Sequence, residues 1–492
     1  MTTTPDVDVN APIEHTRLLI DGDFVDAADG ATLETINPAT GRAITDVALG
    51  DVTDLDRAVA AARTAYDSGP WPRMKPDERA AALWRLGDLM LADAAELGRL
   101  ETLDQGKPYT QSVGGYVPAA AGLFHYMSGF ATKLEGSTIP VSAPGEYHTY
   151  TRREALGVVG LIIPWNFPLN IAAWKLAPAL AAGNTVVIKP AETTPLSTLR
   201  LGQLALEAGI PPGVVNVVNG YGHTVGQRLA EHPLVDKVSF TGSTATGRRI
   251  VDAARGNLKR VTLELGGKSA NIIFPDADIE AAIAGSADGI FSNAGQACAA
   301  GSRLYVHDDV YDEVMAGMAE KARGITVGDG FDPATEIGPL GSLEHFERVS
   351  GYLDVGRDEG EIVTGGGRVG EQGYFIEPTI IAGVSQEARV VKEEIFGPVV
   401  VANRFSDVDE VVAMANDSRY GLSSGIWTAN VGTAHSVAAR IQAGNVWVNT
   451  YGVFDAAMPF GGVKESGWGR EMGHAVMHDY TDIKTVCVRI DA

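Results

Sequence analysis

The sequence predicts an α/β protein with two doubly wound domains, each built around a mostly parallel sheet. Short apolar runs alternate with helical patterns over residues 155–266, and the alternation begins again after Gly267. Parallel strands that are buried on both faces have near-continuous apolar sequences, and the crossover helices account for the spacing between them. A chain of 492 residues, 45% of them hydrophobic, has enough material for several such domains.

The first series is typical of a nucleotide-binding domain. Its strand-like runs are followed by turn signals and then by helical patterns: GVVGLII, NTVVIKP, VVNVVNG and DKVSFTGS, the last followed by TATGRRIVDAARG. Such a unit repeated along the chain indicates a parallel sheet with helices on both faces.

The second series has the same character over residues 267–466. It contains the strand-like runs SANIIF, SRLYVH, FIEPTII, VVVANRF and GNVWVNT, with a helix predicted over 310–323. Between the two series, residues 134–153 form a polar segment that predicts an extended ribbon. Together with the C-terminal TVCVRI, it could supply edge strands that pair with another subunit.

Composition excludes several classes of function. The formal charge of −23 disfavours binding to nucleic acid or to anionic membranes. The most apolar stretch, residues 156–188, is interrupted by polar residues and prolines, so we expect no membrane span. Two cysteines and ten histidines without metal-ligand spacing predict no structural metal, no disulfide framework and a cytoplasmic location.

A glycine-containing turn is the candidate phosphate site. The segment SFTGSTATGRR places Gly242 and Gly247 between a strand and a helix. Backbone N–H groups and the positive end of the dipole at a helix start suit a pyrophosphate. The spacing is neither G-x-G-x-x-G nor a P-loop, so by itself the motif fits a phosphate site or a plain turn.

Lys189 and Glu192 follow the apolar run VVI, at the edge where open α/β sheets bind ligands. A carboxylate there can accept two hydrogen bonds from a ribose diol and would repel a 2′-phosphate. This interpretation favours NAD over NADP, and the alternative is a solvated ion pair on a loop.

Three residues suit the chemistry of a reaction centre. Glu264 lies between leucines, where burial would raise its pKa toward that of a general base, unless the strand is an edge and the carboxylate faces water. Cys298, in NAGQACAAGSR, is either a packing residue or a thiol left approachable by its small neighbours. Pro164 and Pro168 restrict the backbone around Asn166 and could hold its amide as a fixed donor.

Taken together, the motifs resemble those of the NAD(P)-dependent aldehyde dehydrogenase superfamily, in order and over nearly the whole chain. They are PWNFP (164–168), KPAE (189–192), FTGSTATG (240–247), LELGGKS (263–269), GQACAAGSR (295–303), EEIFGPV (393–399), GNVWVN (444–449) and PFGGVKESGWGRE (459–471). The resemblance implies an NAD-binding domain over 1–133 and 155–266, a catalytic domain over 267–466, and oligomerisation segments over 134–154 and 475–492.

The resemblance also implies residue roles. Cys298 would be the nucleophile and Glu264 the general base, with Asn166 and the Cys298 N–H as oxyanion donors. The expected cofactor residues are Trp165, Lys189, Glu192, Gly242, Ser243, Gly247, Glu394 and Phe396. Lys175 and Glu471 match positions implied in a proton relay.

The aldehyde pocket is the least determined part. The residues that match its wall are mostly apolar or aromatic: Phe167, Ile171, Trp174, Tyr451, Val453 and Phe454. They favour medium aliphatic or aromatic aldehydes. Asn170 and Asp455 interrupt this character, and Asp455 could instead accept an amino- or betaine-type aldehyde.

Two further alternatives concern the class of activity. A CoA-acylating enzyme of the same superfamily is disfavoured because Glu264 would be needed only for hydrolysis. A catalytically silent binding or structural relative is disfavoured because Cys298, Glu264 and Asn166 are all present. The resemblance further implies a homodimer or a homotetramer, and the sequence does not distinguish them.

Overall fold

The computed structural model describes residues 7–491, so residues 1–6 and 492 of the predicted terminal segments lie outside it. The predicted α/β class is confirmed. The strands are β1 (Leu18–Ile20), β2 (Asp23–Val25), β3 (Thr32–Asn37), β4 (Arg42–Ala48), β5 (Tyr147–Ala155), β6 (Val158–Ile162), β7 (Thr185–Lys189), β8 (Val215–Val217), β9 (Lys237–Thr241), β10 (Arg260–Glu264), β11 (Ala270–Ile273), β12 (Arg303–His307), β13 (Glu361–Thr364), β14 (Thr379–Ala382), β15 (Val399–Phe405), β16 (Ser423–Trp427), β17 (Asn445–Val448), β18 (Gly467–Trp468) and β19 (Thr481–Arg489).

The connections between strands are largely helical. The α-helices are α1 (Val52–Asp67), α2 (Pro76–Ala92), α3 (Ala94–Asp104), α4 (Tyr109–Gln111), α5 (Val117–Ser128), α6 (Pro168–Ala181), α7 (Leu196–Glu207), α8 (Gln227–Glu231), α9 (Thr244–Ala254), α10 (Ile279–Phe291), α11 (Tyr311–Gly324), α12 (Leu343–Glu359), α13 (Arg389–Lys392), α14 (Val408–Asn416), α15 (Val431–Arg440) and α16 (Val476–Asp479). Among the described residues, no helix has the length and apolar character needed to cross a membrane.

The first sheet has a Rossmann-like parallel centre. Its order is β18-β10-β9-β6-β7-β8-β1-β2, and the five strands from β10 to β8 are parallel to their neighbours. Numbered along the chain, these five strands have the order 5-4-1-2-3, so the direction of winding reverses between β6 and β9. Ligands of open α/β sheets bind at the carboxyl ends of strands at such a reversal.

Burial on both faces explains why these strands are apolar without alternation. In β6, Val159 and Leu161 pack in the core under α6, whereas Val158 and Ile162 pack in the core under α1. Every residue of α6 except Trp174 is buried. An all-round apolar helix is expected where a helix is enclosed on every side.

The second sheet has the order β13-β14-β15-β12-β11-β16-β17 and is parallel except for the edge pair β13 and β14. The chain enters it at β11, a few residues after leaving the first sheet at the end of β10. The carboxyl ends of the first sheet therefore face the segments that precede β11 and β12.

The predicted ribbon occupies only part of its expected segment. Residues 147–155 form β5, which pairs antiparallel along its whole length with β19 of the same chain. The C-terminal strand begins at Thr481, earlier than TVCVRI indicates. The assignment of domains and oligomerisation segments stays a prediction, although one feature differs from the proposed boundaries: β18 lies beyond residue 466 and joins the first sheet.

Candidate active site

A cavity of about 270 Å³ between the two sheets brings together the three predicted catalytic residues. Cys298, Glu264 and Asn166 all line it, although they are far apart in sequence. Asn166 follows β6, Glu264 ends β10, and Cys298 lies on the loop before β12. The same cavity is lined by five of the predicted cofactor residues: Trp165, Gly242, Ser243, Glu394 and Phe396.

The loop that carries Cys298 is held tightly against its surroundings. Asn293 and Ala294 have positive φ values of 51° and 53°, which turns the chain sharply after α10. A Cβ atom on Gly267 would lie 2.2 Å from the Cys298 carbonyl oxygen, so only glycine allows this approach. The side chain of Cys298 is half-buried. The sequence left open whether this thiol only packs, and its position in the cavity agrees with the reactive interpretation.

Burial is the main reason why the pKa of the Cys298 thiol is raised to about 12. The charges of Glu264 and Glu394 raise it further. Both carboxylates line the same cavity and would repel a thiolate. The thiol is therefore protonated at neutral pH and needs a proton acceptor before it can act as a nucleophile.

The Asn166 side chain is buried and fixed by the cysteine loop. Its Nδ2 donates to the backbone carbonyl of Gln296 at 2.9 Å, and Asn293 Nδ2 donates to the Asn166 carbonyl at 3.1 Å. Gln296 is anchored in turn by the Gly341 N–H, which donates to Gln296 Oε1 at 2.8 Å. The flanking prolines indicated a rigid amide. They did not indicate Asn293 and Gln296, whose only signal is their place in the cysteine motif.

Glu264 lies in the interior and not at an edge. Strand β10 is paired on one side with β9 and on the other with β18, and Glu264 is 5% exposed. Both carboxylate oxygens are buried without a hydrogen-bond partner in the described structure. Burial first, and the charge of Glu471 second, raise the pKa of Glu264 well above its ordinary value. A carboxylate in this state is a stronger base than an exposed one.

The two predicted relay residues contact each other directly. Lys175 Nζ, on α6, donates to Glu471 Oε1 at 2.5 Å and to Ser239 Oγ at 2.8 Å. Both charged side chains are buried. Since the charges of Glu471 and Lys175 act in opposite directions on the pKa of Glu264, this pair is electrostatically coupled to the predicted base.

The predicted adenosine end lies along β7, β9 and α9. Lys189 ends β7 and is buried, and its Nζ donates to Glu192 Oε2 at 2.7 Å. Burial alone would raise the pKa of Glu192. The charge of Lys189 and its hydrogen bond to Glu192 outweigh this effect and lower the pKa. The pair formed by Lys189 and Glu192 is therefore ionic, and Glu192 remains partly exposed.

The turn after β9 leaves a helix start open to a ligand. Ser243 is the N-cap of α9, and its Oγ accepts the Thr246 N–H at 3.2 Å. Ser243, Ala245 and Thr246 are exposed, whereas Gly247 packs so closely that a Cβ there would lie 2.7 Å from Leu265. Free N–H groups at an exposed helix start fit a pyrophosphate.

Two residues that the sequence analysis missed, His345 and Arg348, line the cavity beside Phe396. The Nε2 atom of His345 lies 2.7 Å from the carbonyl oxygen of Phe396. Burial lowers the pKa of His345 to about 4. The neutral ring therefore donates this hydrogen bond. Phe396 has a φ of 65° and packs edge-on against Trp165. The start of α12 carried no motif that would have indicated His345.

Glu394 lies at the border of two cavities. Its Oε1 accepts the Gly267 N–H at 2.8 Å, and burial raises the pKa of Glu394. A second cleft of about 510 Å³ shares Arg348 and Glu394 with the first cavity. This larger cleft contains no other predicted site residue, so size does not identify the reaction centre.

The predicted aldehyde-pocket residues lie outside the lining of the Cys298 cavity, and three of them, Trp174, Tyr451 and Phe454, belong to an aromatic cluster beside it. Tyr451 links the two regions, since its hydroxyl donates to the carbonyl of Ala299 at 2.7 Å. Phe454 lies 6.1 Å from Trp174 between ring centroids and is 46% exposed. Two aromatic members of the cluster were not predicted, Trp447 and Phe460. Phe167 and Ile171 belong to or pack against the core beneath α6.

Within the described part of the chain, no group of three or more His, Cys, Asp or Glu side chains is arranged to hold a metal ion.

Comparison with known proteins gives one consistent result. The family model described as "Aldehyde dehydrogenase family" matches residues 24–486. The chain is 49% identical over 487 residues to "Aldehyde dehydrogenase family 2 member B4, mitochondrial" from Arabidopsis thaliana, covering 99% of this chain and 90% of that protein. It is 46% identical over 476 residues to "Benzaldehyde dehydrogenase, mitochondrial" from Antirrhinum majus, covering 96% and 89%. The structure of an aldehyde dehydrogenase from Bacillus cereus in complex with NAD+ superposes with a TM-score of 0.95 at 47% identity, covering 97% of both chains.

Proposed function

This chain belongs to the aldehyde dehydrogenase family and oxidises an aldehyde with NAD, and from that premise we propose that it converts apolar aliphatic or aromatic aldehydes to carboxylic acids through a thioester on Cys298. The observation that supports this proposal best is the presence of Cys298, Glu264 and Asn166 in the lining of one cavity. The proposed nucleophile, base and amide donor come from three separate segments of the chain.

The first step is attack of the Cys298 sulfur on the carbonyl carbon. The S–C bond forms as the thiol proton leaves. The buried Glu264 carboxylate, which lines the same cavity, is the proposed acceptor because its raised pKa increases its basicity. The carbonyl oxygen becomes an alkoxide. The second N–H of Asn166 Nδ2 and the Cys298 backbone N–H are the proposed donors to it, and loss of one such donor typically costs ~10²–10³ in rate.

The second step is the loss of hydride from the tetrahedral carbon, which leaves a thioester on Cys298. NAD, when bound, supplies the acceptor for this hydride. We assign its adenosine ribose to Lys189 and Glu192, its pyrophosphate to the turn from Gly242 to Gly247 with Ser243, and its other end to Trp165, Glu394 and Phe396. The exposed start of α9 and the ionised Glu192 both fit such a group.

The third step is hydrolysis. Before hydrolysis, Glu264 must lose the thiol proton that it accepted in the first step. Glu471, Lys175 and Ser239 are connected by hydrogen bonds in the interior, and we propose that they carry that proton away from Glu264. Glu264 then removes a proton from water, the hydroxide adds to the thioester carbon, and the sulfur leaves and takes this proton from Glu264, which releases the acid and restores the thiol. This step distinguishes the chain from a CoA-acylating enzyme, in which CoA takes the acyl group.

The aromatic cluster supports the proposed substrate class. Trp174, Trp447, Phe454 and Phe460 lie 5.4–6.1 Å from their neighbours in the cluster, and Tyr451 connects them to the cysteine loop. Ring faces of this kind suit an aromatic or aliphatic chain. The similarity to a benzaldehyde dehydrogenase points in the same direction.

A cationic amino- or betaine-type aldehyde is the second candidate, because Asp455 lies exposed next to Phe454. The charge of Asp455 also contributes to the raised pKa of Tyr126, after burial, so these two side chains lie near each other. Aromatic rings with a carboxylate can attract an ammonium group.

A kinetic panel tests both candidates. We expect benzaldehyde and hexanal to give NADH with a higher kcat/KM than betaine aldehyde. We expect Asp455→Asn to leave the benzaldehyde value unchanged. The opposite order, with a loss of betaine aldehyde activity in Asp455→Asn, would establish the second candidate. If NADH forms with none of these aldehydes at any pH, both candidate substrate classes are wrong.

The finer calls on assembly and location are also proposals. We infer a homodimer or homotetramer that forms through β5 and β19, since Ile483, Val488 and Ile490 are 59%, 43% and 59% exposed on this ribbon. Both cysteines are free, which agrees with the proposed cytoplasmic location.

A further inference from the structure

The start of α6 lacks an N-cap of its own. This helix begins directly after Asn166 and Phe167, and the N-cap residue Phe167 provides no side-chain hydrogen bond. Glu101, in the last turn of α3, takes that place: its Oε1 accepts the Leu169 N–H at 3.1 Å. Glu101 is fully buried. A carboxylate at a helix start satisfies a free N–H and interacts favourably with the helix dipole.

Lys107 compensates the charge of Glu101 and also contacts Phe167, a predicted residue of the aldehyde pocket. Its Nζ donates to Glu101 Oε2 at 3.0 Å and lies 4.7 Å from the ring centroids of both Phe167 and Tyr116. The residue is 1% exposed. An ammonium that is desolvated between two ring faces is held by electrostatic attraction to both. The orientation of Phe167 is thereby tied to a charge on a different segment of the chain.

The connection continues to the next turn of α6. Asn170 Nδ2 donates to the Tyr116 carbonyl at 3.0 Å, so the segment that carries Tyr116 is attached to α6 at a second point. Glu101, Lys107 and Tyr116 together surround the residues that follow Asn166. A shift of this group would move the amide donor and the proposed pocket wall at the same time.

We propose that Glu101 and Lys107 are positioning residues: Glu101 fixes the start of α6 behind Asn166, and Lys107 sets the Phe167 ring and with it the preference for aromatic aldehydes. The inference rests on the proposed function, in which Phe167 forms part of the aldehyde pocket. Neither residue touches the reacting atoms.

The test uses the full-length protein and the ratio of kcat/KM for benzaldehyde to kcat/KM for acetaldehyde. We expect Lys107→Met to lower this ratio about tenfold, because misplacement of a positioning group by about 1 Å can cost ~10² in rate. The Kd for NAD should not change. The matched control is Lys259→Met, which removes another buried lysine whose Nζ donates instead to the carbonyls of Ala230 and His232. In that variant the ratio should stay as in the wild type.

A double-mutant cycle with Phe167→Leu separates positioning from general support. If Lys107 acts through Phe167, Lys107→Met should not lower the ratio further in the Phe167→Leu background. If Lys107→Met fails to fold, Glu101→Gln/Lys107→Met removes both buried charges together and should show the same loss of ratio.

The proposal is overturned if the ratio is unchanged in every folded variant, or if the two substitutions in the cycle act additively. The role of Lys107 is also overturned if Lys107→Met lowers kcat/KM equally for both aldehydes. A wild-type protein that forms no NADH with either aldehyde would instead refute the proposed function, so the two failures are distinguishable.

Discussion

At the residue scale, burial controls the charges around Cys298. The thiol has its pKa raised to about 12, and the pKa of Glu264 is raised well above its ordinary value. A preformed thiolate is therefore scarce at neutral pH in the free protein. Attack requires a base, and Glu264 is a carboxylate in the cavity with no hydrogen-bond partner to compete for its oxygens among the described residues.

The first prediction is a pH dependence of kcat. Because the pKa of Glu264 is raised in the folded protein, its basic form is lost as the pH falls through a value above that of an ordinary glutamate. We expect kcat to rise as the pH rises through this raised value and to level off above it, and Glu264→Gln to remove that rise along with most of the activity. A wild-type kcat that stays constant down to pH 5 would show that Glu264 is not the titrating base.

The second prediction concerns His345 and acid stability. Burial lowers the pKa of His345 from 6.5 to about 4, so the unfolded chain binds a proton over this range and the folded protein does not. Stability is therefore lost as the pH falls from about 6.5 to about 4, by up to about 3 kcal/mol from this residue. When the free energy of unfolding is measured with urea, His345→Gln should lose less of it between pH 7 and pH 5 than the wild type does. An identical loss of unfolding free energy in both proteins would contradict the lowered pKa of His345.

Residues that belong to a local sequence motif could be predicted from the sequence. Residues whose role depends on contacts with distant parts of the chain could not. Glu264 had two interpretations, and the pairing of β10 on both sides decides between them. His345 could not be found, because its role depends on a contact with Phe396 that only the fold creates. The pairing of Lys107 with Phe167 is hidden for the same reason.

At the scale of elements, the site depends on how closely neighbouring segments approach. The turn after β10 passes so near the cysteine loop that a Cβ on Gly267 would lie 2.2 Å from the Cys298 carbonyl oxygen. A backbone atom cannot move aside without moving the loop. Gly267 therefore fixes the position of the proposed nucleophile, Cys298, through backbone contact alone.

The third prediction follows from this contact. Gly267→Ala should lower kcat/KM by about 10²-fold or more, because it displaces the cysteine loop. The control is Gly351→Ala on α12. A Cβ at this position would have no neighbour within 4 Å, so the substitution should raise the free energy of unfolding by up to about 1 kcal/mol. Full activity in Gly267→Ala would show that the loop is free to move. The measurement is steady-state kinetics together with thermal unfolding of both variants.

The elements predicted correctly were those with continuous apolar sequences, such as β6, β7 and β9. The elements missed were of two kinds. Strands β1 and β2 extend the first sheet antiparallel, and this pairing leaves no mark in the local pattern. Strand β16, SSGIW, is fully buried but begins with small polar residues, so its composition does not resemble that of a core strand.

At the scale of the whole molecule, the candidate site lies between the carboxyl ends of the first sheet and the loops that precede β12 and β15 of the second sheet. The carboxyl ends of the first sheet supply Asn166 and Glu264, and the second sheet presents Cys298 before the start of β12. The two-sheet organisation could be predicted from two series of apolar runs. The way in which the sheets face each other could not, since it depends on contacts between segments far apart in sequence.

The fourth prediction concerns the ribbon of β5 and β19. If it forms the contact between subunits, Ile483→Arg/Val488→Arg should shift the protein toward monomers in light scattering coupled to size exclusion. The control is Val431→Arg, which changes an apolar residue that is 71% exposed on α15. That variant should keep the wild-type mass. A double variant that also keeps the wild-type mass would exclude this ribbon from the interface.

The most direct test of the account is to trap the acyl group. Glu264→Gln, incubated with NAD and benzaldehyde, should form NADH only once per active site and accumulate a benzoyl thioester, more slowly than the wild type because the Cys298 thiol must then lose its proton to solvent. Intact-protein mass spectrometry and peptide mapping should locate that group on Cys298, and Cys298→Ala/Glu264→Gln should acquire none. An acyl group on another residue, or continued turnover without any adduct, would contradict the assignment of Cys298 as nucleophile and Glu264 as the base for hydrolysis.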